Sequence, residues 1–447
     1  MGRLFGTDGV RGIAGKDLTS EFAMNLGIAI AVVLTKKQDD ITIVIGRDTR
    51  ISGDMLVSSL IAGLCSVGVN VINLEVVPTP CVSYLIQKYN AQAGIMVSAS
   101  HNPSEYNGIK IFDRLGYKLP DALEDEIEDI MDNIDNYKKN NSKIGIIKRG
   151  YDPITDYVNH LVSSCDIKLN GLKIVVDCAN GSASTIAKYL FSKLECNTTI
   201  INDKPNGINI NDNCGSTHIE KLSDYVLENK FDCGIAYDGD ADRCIMVDNE
   251  GNIIDGDYIL AITSSYLKEN NKLTNNTVVG TVMSNLGFIK FCDSNNINFI
   301  ATKVGDRYVL EEMLLKEYIL GGEQSGHIIF KDYANTGDGE LTSIKILEIM
   351  KKREKSLKEL SSTMNKYPQI LINVVIDNSK KNDFYTDEYI DNKINELKNE
   401  LGRDYRILVR PSGTEPLIRV MIEGKDQKVI KKQANYLAKI IEDRLSN

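Results

Sequence analysis

Short β-branched apolar runs, each followed by a polar or glycine-rich loop and then by an amphipathic helical stretch, recur along the 447 residues of this chain. That order constrains the fold to α/β architecture, because a strand that returns through a helix lies parallel to the one before it. Ile41 to Gly46 is the first clear run. Arg47-Asp48-Thr49-Arg50-Ile51-Ser52-Gly53 follows it, and Met55 to Val67 carries apolar residues at helical spacing, so Ser52 or Asp54 is expected to cap a helix there. The unit returns at Leu172 to Cys178 before Ala179-Asn180-Gly181-Ser182, at Phe231 to Tyr237 before an acidic loop, and at Thr277 to Val282. The last segment differs in kind. It reads as a strand through Ile370 to Ile376, a helix near Glu388 to Leu397, strands Tyr405 to Arg410 and Leu417 to Ile422, and a final helix. That is a small α+β unit.

A chain of this length exceeds what one hydrophobic core sustains, so several domains are expected. Polar stretches at Asn136 to Lys148 and Ser379 to Glu388 guide the cuts, which fall near 150, 250 and 366 and give domains 1–150, 151–250, 251–366 and 367–447. Apolar runs such as Ile41 to Ile45 are strand-sized, well below the ~20 residues of a membrane helix. No membrane partner is expected, and without an export signal at the start the expected location is the cytoplasm. Nine cysteines, an odd number with no C-x-x-C pair, read as reduced core residues, Cys178 and Cys233 among them. A net charge of -10 argues against a nucleic-acid partner. It also means that a site for an anionic substrate must gather its own positive charge.

Four polar motifs each follow a strand-like run: Ser98-Ala99-Ser100-His101-Asn102-Pro103, Asp238-Gly239-Asp240-Ala241-Asp242-Arg243, Gly322-Glu323-Gln324-Ser325-Gly326-His327 and Arg410-Pro411-Ser412-Gly413-Thr414-Glu415-Pro416. Ligands of α/β sheets bind beyond the carboxyl ends of strands, so four such loops are expected to face one cleft. The acidic loop carries the strongest signal. Three carboxylates at alternate positions point the same way on extended backbone and repel one another unless a cation joins them; an all-oxygen set suits magnesium or calcium. An EF-hand is excluded, because its sixth position is Arg243 and its twelfth is Asn249. Ser100 beside His101 is a candidate nucleophile or phosphate carrier once a cation is close by, since phosphoryl transfer needs charge offset. Glu323 and Ser325 are a candidate clamp for two neighbouring sugar hydroxyls, and His327 is either a packed histidine at a strand start or a proton carrier. Arg410 with two hydroxyls, glycine-rich backbone and Arg419 close behind suits a phosphate dianion. Arg11 stands in another glycine-rich loop, and Lys110 is ten residues beyond Ser100. In isolation such a lysine reads as a solvated surface residue.

Together these motifs, with the opening Gly2-Arg3-Leu4-Phe5-Gly6-Thr7-Asp8-Gly9-Val10-Arg11-Gly12, resemble the α-D-phosphohexomutases along the whole chain. The opening and Gly322 to His327 are similar to the branch that acts on glucosamine phosphates. The resemblance implies three similar α/β domains with mixed, mostly parallel sheets plus a smaller C-terminal α+β domain around a central cleft, and it admits a homodimer. It implies a phosphoserine at Ser100, magnesium on Asp238, Asp240, Asp242 and one oxygen of that phosphoserine, and a sugar-recognition pair in Glu323 and Ser325. Arg410, Ser412, Gly413 and Thr414 match the loop that grips the substrate phosphate. Arg11, His101, Lys110, Arg243 and His327 match positions that line the reaction centre, with the proton acceptor left open among Lys110, His101 and His327. The implied reaction interconverts glucosamine 6-phosphate and glucosamine 1-phosphate through glucosamine 1,6-bisphosphate, ahead of nucleotide-sugar and cell-wall precursor synthesis. Rival expectations are a phosphomannomutase or phosphoglucomutase, a metal-dependent phosphatase with Asp238 or Asp240 as nucleophile, and a non-catalytic sugar-phosphate sensor.

Overall fold

The computed structural model describes residues 4–6, 9–36, 40–137, 143–412 and 415–445. They form two compact units, one of residues 1–283 with 296–363 and one of residues 284–295 with 364–447.

The first unit holds three sheets in chain order. The first comprises β1 (Val10–Ile13), β2 (Thr42–Arg47), β3 (Asn70–Val76), β4 (Ala93–Val97), β5 (Tyr106–Phe112) and β6 (Ile147–Lys148), in the order β1-β5-β4-β2-β3-β6. β2 pairs in parallel with β3 and β4, while β5 runs antiparallel to β4 and β1. Helices on both faces leave Ile43, Val44 and Ile45 fully buried, which is why β2 reads as a continuous apolar run. On one face the helices Ser20–Thr35 and Gly53–Ser66 touch backbone to backbone; a Cβ on Gly63 would stand 2.1 Å from the Met24 carbonyl oxygen.

The second sheet has β7 (Lys173–Asp177), β8 (Asn197–Ile201), β9 (Cys233–Tyr237), β10 (Cys244–Asp248) and β11 (Ile253–Ile254), ordered β11-β10-β9-β7-β8. β7, β8 and β9 are parallel and β10 turns back antiparallel on β9. The third repeats the plan with β12 (Thr277–Thr281), β13 (Asn298–Thr302), β14 (Leu320–Gly322) and β15 (Ile328–Phe330), ordered β13-β12-β14-β15, where β15 is the antiparallel return. In the second unit β16 (Gln369–Val375), β17 (Tyr405–Pro411) and β18 (Leu417–Gly424) form an antiparallel sheet ordered β16-β18-β17. The helices Glu388–Leu401 and Gln427–Leu445 cover it with Ile394, Ile430, Leu437 and Ile441.

Each sheet thus contains a strand that turns back through a short loop into an antiparallel neighbour. The four polar motifs are those loops: β4 to β5, β9 to β10, β14 to β15 and β17 to β18. One local expectation needs correction. Ser52 stands at the N-cap of Gly53–Ser66, yet its hydroxyl makes no capping bond and instead accepts from Asn107 Nδ2 at 2.9 Å, while Asp54 pairs with Arg47. A competing partner from another strand has taken the capping oxygen.

Candidate active site

Ser100 leaves β4 in a left-handed conformation, φ 52°, which L side chains rarely adopt outside sites where the surroundings enforce it. Its Oγ donates to Asp238 Oδ2 at 2.5 Å and lies 3.3 Å from His101 Nδ1. Ser98, two residues earlier, points elsewhere. Its hydroxyl donates to Asp48 at 2.6 Å and accepts the Ser100 backbone N–H at 2.9 Å.

The acidic loop brings carboxylate oxygens of Asp238, Asp240 and Asp242 within 4.8 Å of one another, all three residues buried. Lys110, placed on β5 opposite Met96, reaches this cluster with its Nζ 2.7 Å from Asp240 and 3.2 Å from Asp242. Burial lifts the Asp238 carboxyl well above its ordinary range, and the charges of Asp242 and Asp240 add to that. Burial also opposes ionisation of Asp242, but Lys110, His327 and Arg243 outweigh it and hold that carboxyl well below its usual range. Buried oxygens of Asp240 and Asp242 have no hydrogen-bond partner, so the cluster keeps donor capacity for a hard divalent cation. Thr79 adds a hydroxyl to Asp240 at 2.5 Å.

Around this centre His101 is pushed down to about 4 by burial and by the charges of Arg243 and Arg11, against Asp242 and Asp240, so it is a neutral base at pH 7. Arg11 sits on β1 opposite Gly108 of β5. The Arg243 backbone N–H donates to Asp238 at 3.2 Å, and its guanidinium lies 3.9 Å from Asp242. His327, 3% exposed, faces Asp242 at 3.7 Å through Nδ1 and Asp306 at 3.6 Å through Nε2, where it also accepts the Gly337 N–H. Burial lowers its pKa, but these carboxylates prevail and raise it above the usual value. In the same loop Glu323 accepts the Gly305 N–H at 3.1 Å, and the Ser325 hydroxyl is buried without a partner. Both keep capacity for hydroxyl groups of a ligand.

In the second unit Arg410 of β17 lies directly across from Arg419 of β18. Like charges on opposite strands repel, and burial together with Arg419 lowers the Arg410 pKa. The Nε atoms of both are buried without hydrogen-bond partners, while a terminal nitrogen of Arg419 donates to Glu415 at 2.6 Å. The Ser412 hydroxyl accepts from the Glu415 N–H at 3.2 Å. Gly413 and Thr414 lie outside the described residues.

Within the first unit the fold therefore gathers Ser100, His101, Lys110, Arg11, Arg243, His327 and the three aspartates. It adds residues that no motif announced. Asp48 and Arg50 underpin the serine loop, Asn211 bonds it from the second sheet, Asp306 meets His327, and Glu340 is a fully buried carboxylic acid. The visible signals were a charged loop directly after β2 and an asparagine-rich stretch at Asn206 to Asn213.

The chain matches family models described as phosphoglucomutase/phosphomannomutase α/β/α domain I over residues 2–138, domain II over 155–251, domain III over 255–367 and C-terminal domain over 371–440. A phosphoglucosamine mutase of Acetivibrio thermocellus is 52% identical over 450 residues, covering 100% of both chains. The crystal structure of a phosphoglucomutase/phosphomannomutase family protein from Burkholderia thailandensis superposes with a TM-score of 0.82 at 24% identity, over 98% of this chain and 97% of that one. The N-acetylphosphoglucosamine mutase of Aspergillus fumigatus, solved in complex with GlcNAc-6P and magnesium, gives a TM-score of 0.71 at 17% identity, over 98% and 95%.

Proposed function

This chain belongs to the phosphoglucomutase/phosphomannomutase family, and on that premise we propose that it interconverts glucosamine 6-phosphate and glucosamine 1-phosphate, the reaction named for its full-length relative at 52% identity. The observation that carries the mechanism is Ser100 Oγ at 2.5 Å from Asp238, inside a carboxylate triad ringed by cationic side chains. Ser100 is assigned as the phosphoryl carrier. The Oγ–P bond of phospho-Ser100 breaks as phosphorus bonds to O1 or O6 of the bound monophosphate, whose hydroxyl proton leaves to a base while the departing Ser100 oxygen takes up a proton. The bisphosphorylated sugar, glucosamine 1,6-bisphosphate, then turns over and returns its other phosphoryl group to Ser100.

Asp238, Asp240 and Asp242 are the residues that would hold magnesium, which when bound offsets charge on the phosphoryl group. Arg11, Lys110 and Arg243 add fixed positive charge at the same place. His101 is neutral and 3.3 Å from Ser100 Oγ, which places it to accept a proton although its lowered pKa makes it a weak base, while the Nε2 of His327 already accepts the Gly337 N–H. Glu323 and Ser325 are assigned to the sugar, and Arg410, Ser412, Gly413 and Thr414 to the phosphate that is not transferred. On this reading residues 1–150 carry the phosphoserine, 151–250 the metal, 251–366 the sugar and 367–447 the phosphate grip. Nine free cysteines support a reducing, cytoplasmic setting; among the described residues no helix is long and apolar enough to cross a membrane.

The test is phosphopeptide mapping by mass spectrometry after incubation with glucosamine 1,6-bisphosphate. Phosphate on the peptide containing Ser100, at Ser100, is expected. Phosphate confined to Ser98 rejects the assignment.

A further inference from the structure

Ser100 is gripped at both ends of its own residue. Its N–H is fixed by the Ser98 hydroxyl, which Asp48 orients in turn. Its carbonyl is fixed by two side chains from different sheets. Arg50, fully buried, uses all five of its side-chain N–H donors: Nε on Asp48 at 2.9 Å, one terminal nitrogen on the carbonyls of Pro103 and Tyr106, and the other on those of Ser100 at 3.0 Å and Asn102 at 2.8 Å. Asn211, between β8 and β9, donates Nδ2 to the same two carbonyls at 2.9 and 3.1 Å. Two donors on each carbonyl occupy both lone pairs and fix the Ser100–His101 and Asn102–Pro103 peptide planes.

The second sheet meets this loop closely. A Cβ on Gly239, between two of the triad aspartates, would stand 2.6 Å from the Ser100 carbonyl oxygen and 2.9 Å from Asn211 Nδ2. Asn211 thus touches both the serine loop and the backbone that aims Asp238 and Asp240. We propose that Arg50 and Asn211 are positioning residues for phosphoryl transfer, a clamp from two sheets that holds Ser100 in its left-handed conformation with Oγ set against Asp238. The inference rests on Ser100 being the phosphoryl carrier. It predicts an effect on the transfer step, because both side chains hold the main chain of the loop and leave sugar and phosphate recognition to other residues.

Asn211→Ala removes the second donor, and Asn211→Asp keeps the size while presenting oxygen to two carbonyls. Each variant and the wild type are loaded with glucosamine 1,6-bisphosphate, and loss of phosphate from Ser100 to glucosamine 6-phosphate is followed by quenched phosphopeptide analysis. Misplacement of a reacting atom predicts a transfer rate and kcat lowered roughly 10- to 100-fold, further in Asp than in Ala, with KM within about twofold of wild type. Either variant suffices if its melting temperature matches wild type. Transfer within about twofold of wild type, or a loss expressed only as a higher KM, overturns the clamp. Wild-type label on another serine overturns the carrier assignment and the clamp with it; label on Ser100 with unimpaired variants overturns the clamp alone.

Discussion

At the scale of residues, two serines one position apart have been given different work. Ser100→Ala is expected to abolish mutase turnover while sugar-phosphate binding stays measurable by calorimetry. Ser98→Ala loses a hydroxyl that bridges the Asp48 carboxylate and the Ser100 N–H, and is expected to retain a substantial part of turnover. Normal turnover by Ser100→Ala contradicts the assignment. Glu340 offers a prediction about stability. Both of its carboxyl oxygens are buried without a hydrogen-bond partner, and burial, reinforced by Asp338, lifts its pKa well above the ordinary 4.5. The folded chain therefore binds a proton there that the unfolded chain releases above about pH 4.5, so stability falls as pH rises from that value towards the folded pKa. Replacing Glu340 by Leu removes an unsatisfied group costing about 1–3 kcal/mol, and the melting temperature at pH 7.5 and fixed magnesium should rise. The gain should shrink towards pH 5; a variant that melts lower at pH 7.5 rules this account out. Ser100, the aspartates and Glu323 were legible in sequence because each lies in a contiguous polar loop after an apolar run. Arg50, Asn211 and Glu340 were not: a charged loop and an asparagine-rich stretch marked the first two regions, but which of their side chains distant strands bury shows only in the fold. Lys110, which in isolation reads as a solvated surface residue, is buried with its ammonium on Asp240 and Asp242.

At the scale of elements, the same device recurs: a strand ends, a loop presents chemistry, and an antiparallel strand carries the chain back. Strand-helix alternation made the parallel pairs readable, whereas the antiparallel returns β5, β10 and β15 emerged only with pairing register. In the fourth sheet the device sets Arg410 across from Arg419, which is itself paired with Glu415 and leaves Arg410 as the guanidinium proposed to meet the phosphate. Arg410→Ala should therefore raise the KM for glucosamine 6-phosphate by roughly 10-fold or more, the loss of about 1.5–3 kcal/mol expected for a charged hydrogen bond, with a smaller fall in kcat. Steady-state kinetics at saturating magnesium decide this, and an unchanged KM moves the phosphate grip elsewhere.

At the scale of the molecule, a chain of net charge -10 has to meet the dianionic phosphate of its proposed substrate with locally gathered cations. The cation it most requires is the one three adjacent carboxylates call for: exhaustive chelation should abolish turnover and added magnesium should restore it, while full activity without metal excludes the triad as its site. The family fixes the chemistry, and the choice of sugar is the claim that separates this protein from its phosphomannomutase and phosphoglucomutase relatives. On the proposed assignment Glu323 would set a carboxylate beside a substrate that carries an ammonium at neutral pH, and one such charge-assisted contact supports roughly tenfold discrimination or more, although phosphohexomutases share this glutamate and it does not act alone. The decisive measurement is kcat/KM for glucosamine 6-phosphate, glucose 6-phosphate and mannose 6-phosphate under identical magnesium and bisphosphate activation. The account predicts the highest value for glucosamine 6-phosphate, and equal or faster turnover of mannose 6-phosphate would contradict it.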